Sequence, residues 1–193
     1  MENMESIIRQ FGPENNITLE DIPDIDLYMD QVIQLFENKY KNMKRNENEK
    51  VLTKTMVNNY AKGKLFIPIK NKKYSKEHLL LISLIYQLKG ALSINDIKAV
   101  LDGVNKKVAE GNFNLALFYN SYLHLADQNI AQFKEDVQAK EKGVHEEVEK
   151  LEDENTAYLE NVLLITSLVN QSNLYRKAAE KLVDQIILEE RQE

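Results

Sequence analysis

The pattern of hydrophobic and polar positions predicts helices along most of the chain. Asp24 or Asp26 can cap a first helix that runs to about Met43, with its apolar residues spaced three and four apart. Thr53 is a good N-cap for a second, short helix, which Gly63 ends. We therefore expect two helices joined by an asparagine-rich connection.

After the second helix the pattern changes from helical to extended. Residues 65–69 (Leu-Phe-Ile-Pro-Ile) are predicted to form an apolar strand, and residues 70–74 a basic turn. Ser75 then caps a helix that reaches about Leu88. This helix is apolar on more than one side, so we expect it to be buried at the centre of the domain.

A domain boundary is predicted after the next helix. Ser93 is expected to cap a helix over residues 94–101, which Asp102 and Gly103 close, and the boundary then falls between Gly103 and Asn112. The predicted units are a flexible N-terminus (residues 1–16), a first domain (residues 17–103) and a helical second domain (residues 112–193).

Residues 112–193 contain two long amphipathic stretches with heptad spacing, and the phase slips near Gly143. An antiparallel helical hairpin explains both stretches, with its turn either near Gly143 or in residues 152–155. A continuous coiled coil is the less economical alternative, and Asn155 could set helix register or belong to the turn. The apolar face widens after Val162 and needs a partner surface, for which homodimerisation is the natural choice.

Composition narrows the class of protein. Three prolines and six glycines favour long helices, and the absence of cysteine excludes disulfides and thiolate metal sites. His78, His124 and His145 are scattered and are interpreted as surface residues, so we expect no metal site and no cofactor. No apolar run approaches the ~20 residues of a transmembrane helix. With no signal-like segment after Met1, we expect a cytoplasmic protein.

The charge is distributed very unevenly. The whole chain carries −6, but residues 39–89 hold thirteen Lys or Arg against three Glu, a local net charge of +10. The segments before and after it each carry −8. A local excess of this size is what neutralisation of nucleic-acid phosphates requires, although a solvated lysine-rich surface is the alternative.

Three segments resemble a known family. Residues 52–68 (LTKTMVNNYAKGKLFIP) resemble the helix-turn-helix and wing entry of MerR-type regulators, and residues 74–79 and 88–98 resemble the helices that follow their wing. Residues 17–103 are similar to the domain of unknown function 1836 family of Firmicutes, itself viewed as a MerR-like DNA-binding group. The resemblance implies a mostly α fold, with an N-terminal MerR-like winged helix-turn-helix domain followed by a long C-terminal helical hairpin.

The second helix departs from the MerR pattern. Val57 stands where an arginine is usual, and Asn58 and Asn59 replace a pair of tyrosines. Lys64 is an additional residue between the glycine and the apolar segment. The arginine and tyrosine contacts of MerR proteins therefore do not transfer to these positions.

The candidate DNA contacts lie on the second helix and the wing. Asn58 and Asn59 can bond adenine bidentately, with ordinary surface asparagines as an equal alternative. The lysines from Lys62 onward would contact phosphates, and Tyr74 is expected to pack at the base of the wing. The candidate set is Lys54, Thr55, Asn58, Asn59, Lys62, Lys64, Lys70, Lys72 and Lys73.

No catalytic constellation of residues is visible, so we expect a protein that is not an enzyme. The sequence predicts a homodimeric transcription regulator that reads a pseudo-palindromic site in double-stranded DNA. The alternative is a non-enzymatic protein-interaction or adaptor module that uses the winged-helix fold. An unidentified small-molecule effector is left open. Four tyrosines could line its pocket, although ordinary core packing is favoured: Tyr119, Tyr122, Tyr158 and Tyr175.

Overall fold

The computed structural model of the 193-residue chain describes residues 4–190, with side chains up to Glu189. The described chain is mostly helical and ends in a long helical region, as the sequence predicts. In chain order the elements are α1 (Met4–Arg9), β1 (Leu27–Tyr28), α2 (Met29–Tyr40), α3 (Lys54–Lys62), β2 (Lys73–Tyr74), α4 (Lys76–Leu88), α5 (Ile94–Ala109), α6 (Leu115–Glu149) and α7 (Thr156–Glu190).

The first predicted helix is shorter than the sequence indicated. α2 begins at Met29 rather than after Asp24 or Asp26, because the two residues before it form β1 and pair antiparallel with β2. α2 ends at Tyr40, and the last predicted residues, up to Met43, form a 3-10 turn. Strand pairing with a distant segment thus overrides the local capping signal.

Residues 65–69 form an irregular segment with a bend at Phe66, so the predicted strand is wrong. Leu65 and Phe66 are both buried, whereas neighbouring side chains of a strand point to opposite faces. Pro68 has no N–H to donate to a ladder. Beyond this segment, Lys70 forms an isolated antiparallel bridge with Lys73.

α4 lies at the centre of the N-terminal core, as predicted. Every residue from His78 to Ile85 is buried. Side chains from the surrounding helices join the same cluster, including Val32, Phe36, Val57, Tyr60, Ile97 and Leu101. A helix with apolar residues on all sides is stable only in such surroundings.

α5 continues for six residues past Gly103, so the predicted end at Asp102 and Gly103 is wrong. A glycine inside a helix costs about 1 kcal/mol relative to alanine. The additional turns offset this cost, because Val104 and Val108 pack against the core and Lys106 forms an ion pair with Asp102 at 2.7 Å.

The C-terminal region is an antiparallel hairpin of α6 and α7. α6 continues through Gly143, and the connection spans residues 150–155, so the second of the two predicted turn positions is confirmed. Asn155 belongs to this turn, where its carbonyl accepts the N–H groups of Tyr158 and Leu159.

The core continues past the predicted boundary into the first turns of α6. Leu115 and Tyr119 are buried in the same cluster as α4. The Tyr119 hydroxyl donates to the carbonyl of Ile17 at 2.8 Å and lies 2.7 Å from Oγ of Ser83. Burial raises the pKa of Tyr119 well above its ordinary value, so the hydroxyl stays a donor. The start of α6 is therefore part of the N-terminal unit.

The segment predicted to be a flexible N-terminus contains α1 and a 3-10 turn at Pro13–Asn15. Phe11 contacts Phe133 of α6 edge to face, with ring centroids 5.4 Å apart. Ile8 is buried. The described part of this segment packs against the rest of the protein.

The four tyrosines do not share a pocket. Tyr119 is buried, as expected of a core residue, and the half-buried Tyr122 lines a cavity of about 390 Å³. Tyr175 borders a separate groove of about 710 Å³ between α6 and α7. Tyr158 and Tyr175 are 64% and 66% exposed, so the core interpretation is wrong for these two.

Candidate nucleic-acid interface

α3 presents its five candidate residues to solvent. Val57 and Tyr60 are buried and Met56 is half-buried, so the predicted inward face is confirmed. Oγ1 of Thr53 accepts the Met56 N–H at 3.1 Å and caps the helix. The exposed side comprises Lys54, Thr55, Asn58, Asn59 and Lys62.

Lys64 closes α3 with a left-handed backbone. Its φ is 56°, whereas Gly63 keeps a helical φ of −71°. The Leu65 N–H donates to the Tyr60 carbonyl at 3.0 Å, and the Lys64 N–H to the Ala61 carbonyl at 3.1 Å. This is the hydrogen-bond pattern of a Schellman motif, whose left-handed residue is usually glycine. The residue that is additional to the MerR pattern therefore ends the helix.

A second left-handed lysine lies in the tight turn of residues 70–73, called the basic turn below. Asn71 and Lys72 have φ values of 52° and 56°, and the Lys73 N–H donates to the Lys70 carbonyl at 3.0 Å. Two central residues with positive φ define a type I′ turn, for which Asn-Gly is a preferred sequence. Lys72 occupies the glycine position and is exposed.

Aromatic side chains hold the segment that joins α3 to the basic turn, and they hold it against α4. Phe66, Tyr74 and His78 contact one another edge to face, with centroids 5.8–6.3 Å apart. Tyr74 is buried at the base of the basic turn, so its predicted packing role is confirmed. These contacts fix where the basic turn projects.

His78 is buried, so its interpretation as a surface residue is wrong. Its Nδ1 accepts the Ser75 N–H at 3.1 Å, and its Nε2 donates to the Ile67 carbonyl at 3.2 Å. Burial lowers the pKa of His78, which favours this neutral form. The only sequence signal for this role is the position of His78 three residues after the cap Ser75.

Asn105 of α5 holds the same segment from another side. Its Nδ2 donates to the Leu65 carbonyl at 3.0 Å. No sequence pattern indicated this contact, because α5 was expected to end before Asn105. The unexpected length of α5 thus contributes to the candidate interface.

Several basic residues of the +10 segment are held by the protein itself. Lys39 pairs with Asp21 at 2.6 Å, and Lys44 pairs with Glu37. Lys89 donates to the Val51 carbonyl at 2.9 Å, and its ammonium group lies 4.2 Å from the centroid of the Tyr86 ring. Burial lowers the pKa of Lys89. We call Lys39, Lys44 and Lys89 the anchored lysines.

Glu37 organises the connection between α2 and α3. Its carboxylate accepts the Val51 N–H at 2.7 Å and the Leu52 N–H at 3.4 Å, in addition to Lys44. Burial opposes ionisation of Glu37, but the hydrogen bonds from Lys44 and the two amides outweigh it and lower the pKa. Acidic residues of the N-terminal segment thus neutralise part of the basic segment.

Two candidate lysines have intramolecular partners. Lys54 pairs with Asp30 at 2.7 Å, although both side chains are largely exposed. Lys73 places its ammonium group 5.3 Å from the centroid of the Tyr28 ring. Both are therefore less available to an external anion than their formal charge suggests.

The other four candidate lysines have no ion-pair partner within the part of the chain that the structure describes. Lys62, Lys64, Lys70 and Lys72 are exposed, and none has a carboxylate partner among the residues that the structure describes. We call them the unpaired lysines. Exposed Lys41, Arg45 and Lys50, in the connection before α3, share this property within residues 4–190 and extend the candidate set.

The described side chains offer no grouping of three or more His, Asp or Glu suited to a metal ion. Within residues 4–190, no helix combines the length and apolar character needed to cross a membrane.

Comparison with known families identifies the N-terminal unit. Residues 17–122 match the family model described as domain of unknown function, DUF1836. The chain belongs to the DUF1836 family. No curated protein and no solved structure matches the chain.

The DUF1836 region coincides with the unit that the core defines. It begins at Ile17, whose carbonyl accepts the Tyr119 hydroxyl, and ends just past Tyr119 in α6. It contains all nine candidate residues, together with the residues that position them, Glu37, His78 and Asn105. The C-terminal hairpin beyond Tyr122 lies outside the match.

Proposed function

We propose that this DUF1836 protein is a DNA-binding transcriptional regulator that contacts double-stranded DNA through α3 and the basic turn. The observation that carries the proposal is the set of unpaired lysines, Lys62, Lys64, Lys70 and Lys72. They lie at the end of one short exposed helix and in the turn that follows it. In this proposal α3 is the recognition helix, and the basic turn is the wing, of a MerR-like winged helix-turn-helix.

The dimensions and chemistry of α3 suit the major groove. Nine residues give a helix of roughly 13 Å, and the groove admits a helix of ordinary diameter. Asn58 and Asn59, exposed on its outer side, supply the donor and acceptor pair that matches adenine. The unpaired lysines would neutralise phosphates on either side of α3 and position it.

The backbone conformation of two of these lysines supports a functional role for them. A left-handed conformation costs a residue with a side chain roughly 1–2 kcal/mol relative to glycine. Lys64 and Lys72 both adopt it, at positions where glycine is the usual residue. Strain of this kind concentrates at functional sites, and here it accompanies two exposed ammonium groups.

A regulator of this kind would act as a homodimer on a pseudo-palindromic site, because two copies of α3 would then read two half-sites. The function is non-enzymatic and cytoplasmic in this proposal.

The test is salt-dependent binding of the purified chain to duplex DNA, both random and selected from a pool. The affinity should fall steeply as salt rises, and the triple variant K62A/K64A/K72A should lower the slope of log K against log salt by about 2.7, since each lost phosphate contact contributes about 0.9. K142A, which removes an exposed lysine of α6, is the matched control and should leave the slope unchanged.

A slope that is flat, or equal in the triple variant and the wild type, would overturn the proposal. Equal affinity for random and selected DNA, together with a stoichiometric protein partner, would favour an adaptor module instead.

A further inference from the structure

The two sides of α7 have different surroundings. Its inner side packs against α5 and α6 and includes Leu164, which is 6% exposed. A second apolar row faces solvent, with exposed fractions of 64%, 39%, 61% and 54%. This row, the outer stripe, consists of Tyr158, Val162, Ile165 and Val169.

The spacing of the outer stripe is that of a helix-pairing surface. Its members follow one another at intervals of four, three and four residues, which is the a and d pattern of a heptad. The inner side of α7 already contacts α5 and α6, so the outer stripe is a second pairing surface on the same helix.

The same part of α7 carries no charge. Residues 161–175 are fifteen consecutive residues without Asp, Glu, Lys or Arg, in a chain of which 29% is charged. An exposed helix that faces only water normally carries charged residues, whereas the centres of protein interfaces are depleted of them. The absence of charge and the exposed apolar row coincide on this helix.

We propose that the outer stripe binds the outer stripe of a second copy of this chain, with the two α7 helices antiparallel. A two-fold axis near residues 163 and 164 places Val162 of each copy opposite Ile165 of the other, and Tyr158 opposite Val169. This inference rests on the homodimer of the proposed function and adds the surface and the orientation of the pairing.

Charge complementarity selects the antiparallel orientation. The exposed turn before α7 contains Glu152, Asp153 and Glu154. The charge-free stretch is followed by exposed Arg176 and Lys177, of which Arg176 also has a long ion pair with Glu180 at 3.9 Å. At 1.5 Å per residue, both groups lie roughly 15–20 Å from the two-fold axis, on opposite sides of it. Antiparallel pairing therefore brings acidic residues next to basic ones at both ends, whereas parallel pairing would bring like charges together.

The first experiment measures the oligomeric state of the full chain by sedimentation equilibrium. We expect a dimer whose dissociation constant rises by about 100-fold in Ile165→Glu, because each copy buries an unpaired carboxylate at the centre of the interface. Ile165 is exposed in the single chain, so circular dichroism and the melting temperature should stay unchanged at a concentration where both proteins are monomeric.

Asn170→Glu is the matched control, since Asn170 is exposed on α7 but lies outside the outer stripe. It should leave the dissociation constant within about threefold of the wild type, as expected for a change outside an interface. A wild type that is monomeric at high micromolar concentration would overturn the inference. So would a dimer that Asn170→Glu disrupts and Ile165→Glu does not.

The second experiment tests orientation by charge exchange. R176E/K177E and E152K/D153K/E154K should each dimerise more weakly than the wild type, and an equimolar mixture of the two should form a heterodimer of near wild-type affinity. If the helices were parallel, neither variant would be weaker than the wild type, and the proposed orientation would be wrong.

The experiments distinguish failure of the DNA-binding proposal from failure of the inference on α7. Loss of dimerisation in Ile165→Glu should leave the salt slope of a single half-site intact, because α3 and the basic turn are unchanged. A chain that dimerises through α7 and does not bind DNA contradicts only the proposed function. A monomer that binds DNA contradicts the inference on α7 and the homodimer on which it rests, but not the DNA contacts proposed for α3 and the basic turn.

Discussion

The anchored lysines and the unpaired lysines come from the same basic segment, yet the fold uses them differently. Lys39, Lys44 and Lys89 direct their ammonium groups to Asp21, Glu37 and the Val51 carbonyl. Lys62, Lys64, Lys70 and Lys72 have no such partner within residues 4–190 and face solvent. A count of charges along the sequence treats these two groups as equal.

The difference shows what a local charge excess does and does not predict. An ammonium group that is already paired with a carboxylate, or is partly buried, contributes little binding free energy when it meets an additional phosphate. An unpaired one releases counterions when it meets nucleic acid. The number of basic residues therefore predicts binding only when those that already have a partner inside the protein are left out of the count.

The largest expected effect comes from removing the acceptor of an anchored lysine. Glu37→Ala should lower the free energy of unfolding by about 2–3 kcal/mol, because Lys44 and the amides of Val51 and Leu52 lose their acceptor in a partly buried position. Urea denaturation measures the loss. Glu37→Gln keeps an acceptor for the amides and should lose less, and an unchanged stability in Glu37→Ala would show that Lys44 is not anchored.

The next effect separates base reading from phosphate contact. If Asn58 bonds adenine, Asn58→Ala should reduce the discrimination between a selected site and a single-base variant by about 1–3 kcal/mol. Lys72→Ala should weaken both sites alike. Competition binding measures both ratios, and identical effects of the two substitutions would remove Asn58 from the candidate base readers.

A smaller effect concerns the left-handed lysines. Lys72→Gly should raise the free energy of unfolding by about 1 kcal/mol, because glycine relieves the positive φ in a type I′ turn, while it weakens DNA binding. Lys72→Ala removes the charge but keeps the strain, so it should weaken binding without stabilising the fold. Lys72→Gly with unchanged DNA affinity would mean that the strain serves no binding role.

The smallest effect is a pH dependence of the segment that carries the basic turn. The pKa of His78 is lower in the folded protein than its ordinary value of 6.5, so the unfolded chain takes up a proton first as pH falls. The contribution of His78 to stability is complete above pH 6.5 and is lost as pH falls through the folded pKa. Asp26 and Glu77 favour the charged form and reduce the size of this effect.

Denaturation at pH 7.5 and at steps below pH 6.5 checks this contribution against His78→Asn, which lacks the imidazole. The wild type should lose stability relative to the variant as pH falls. A constant difference between the two proteins would contradict the neutral, donor-acceptor role of His78.

Local signals in the sequence were sufficient to predict the features that depend mainly on the residues of a single helix. The cap of α3 at Thr53, its inward Val57 and Tyr60, and the buried α4 follow from spacing and polarity. Family resemblance added the match to DUF1836. The left-handed Lys64 and Lys72 were not predictable, because local rules place glycine at such positions.

Long-range contacts account for the remaining differences. α2 begins after the predicted position because β1 pairs with residues more than forty positions away. α5 extends past its predicted end because Val104 and Val108 pack against the core. Heptad spacing at Val162 and Ile165 indicated helix pairing but could not tell which neighbour the row faces. The ion pairs that separate the anchored lysines from the unpaired ones depend on the folded arrangement as well.

The hydrogen bonds of Tyr119 have a consequence for the geometry of the proposed dimer. They fix the rotation of α6 about its axis relative to Ile17 and Ser83, in the unit that carries α3. Each residue inserted into α6 after Tyr119 would turn the rest of α6 by about 100° and shift it by about 1.5 Å, against the contacts that hold α7 on α5. The number of residues between Tyr119 and the outer stripe would therefore set the angle and separation at which two copies of α3 meet DNA.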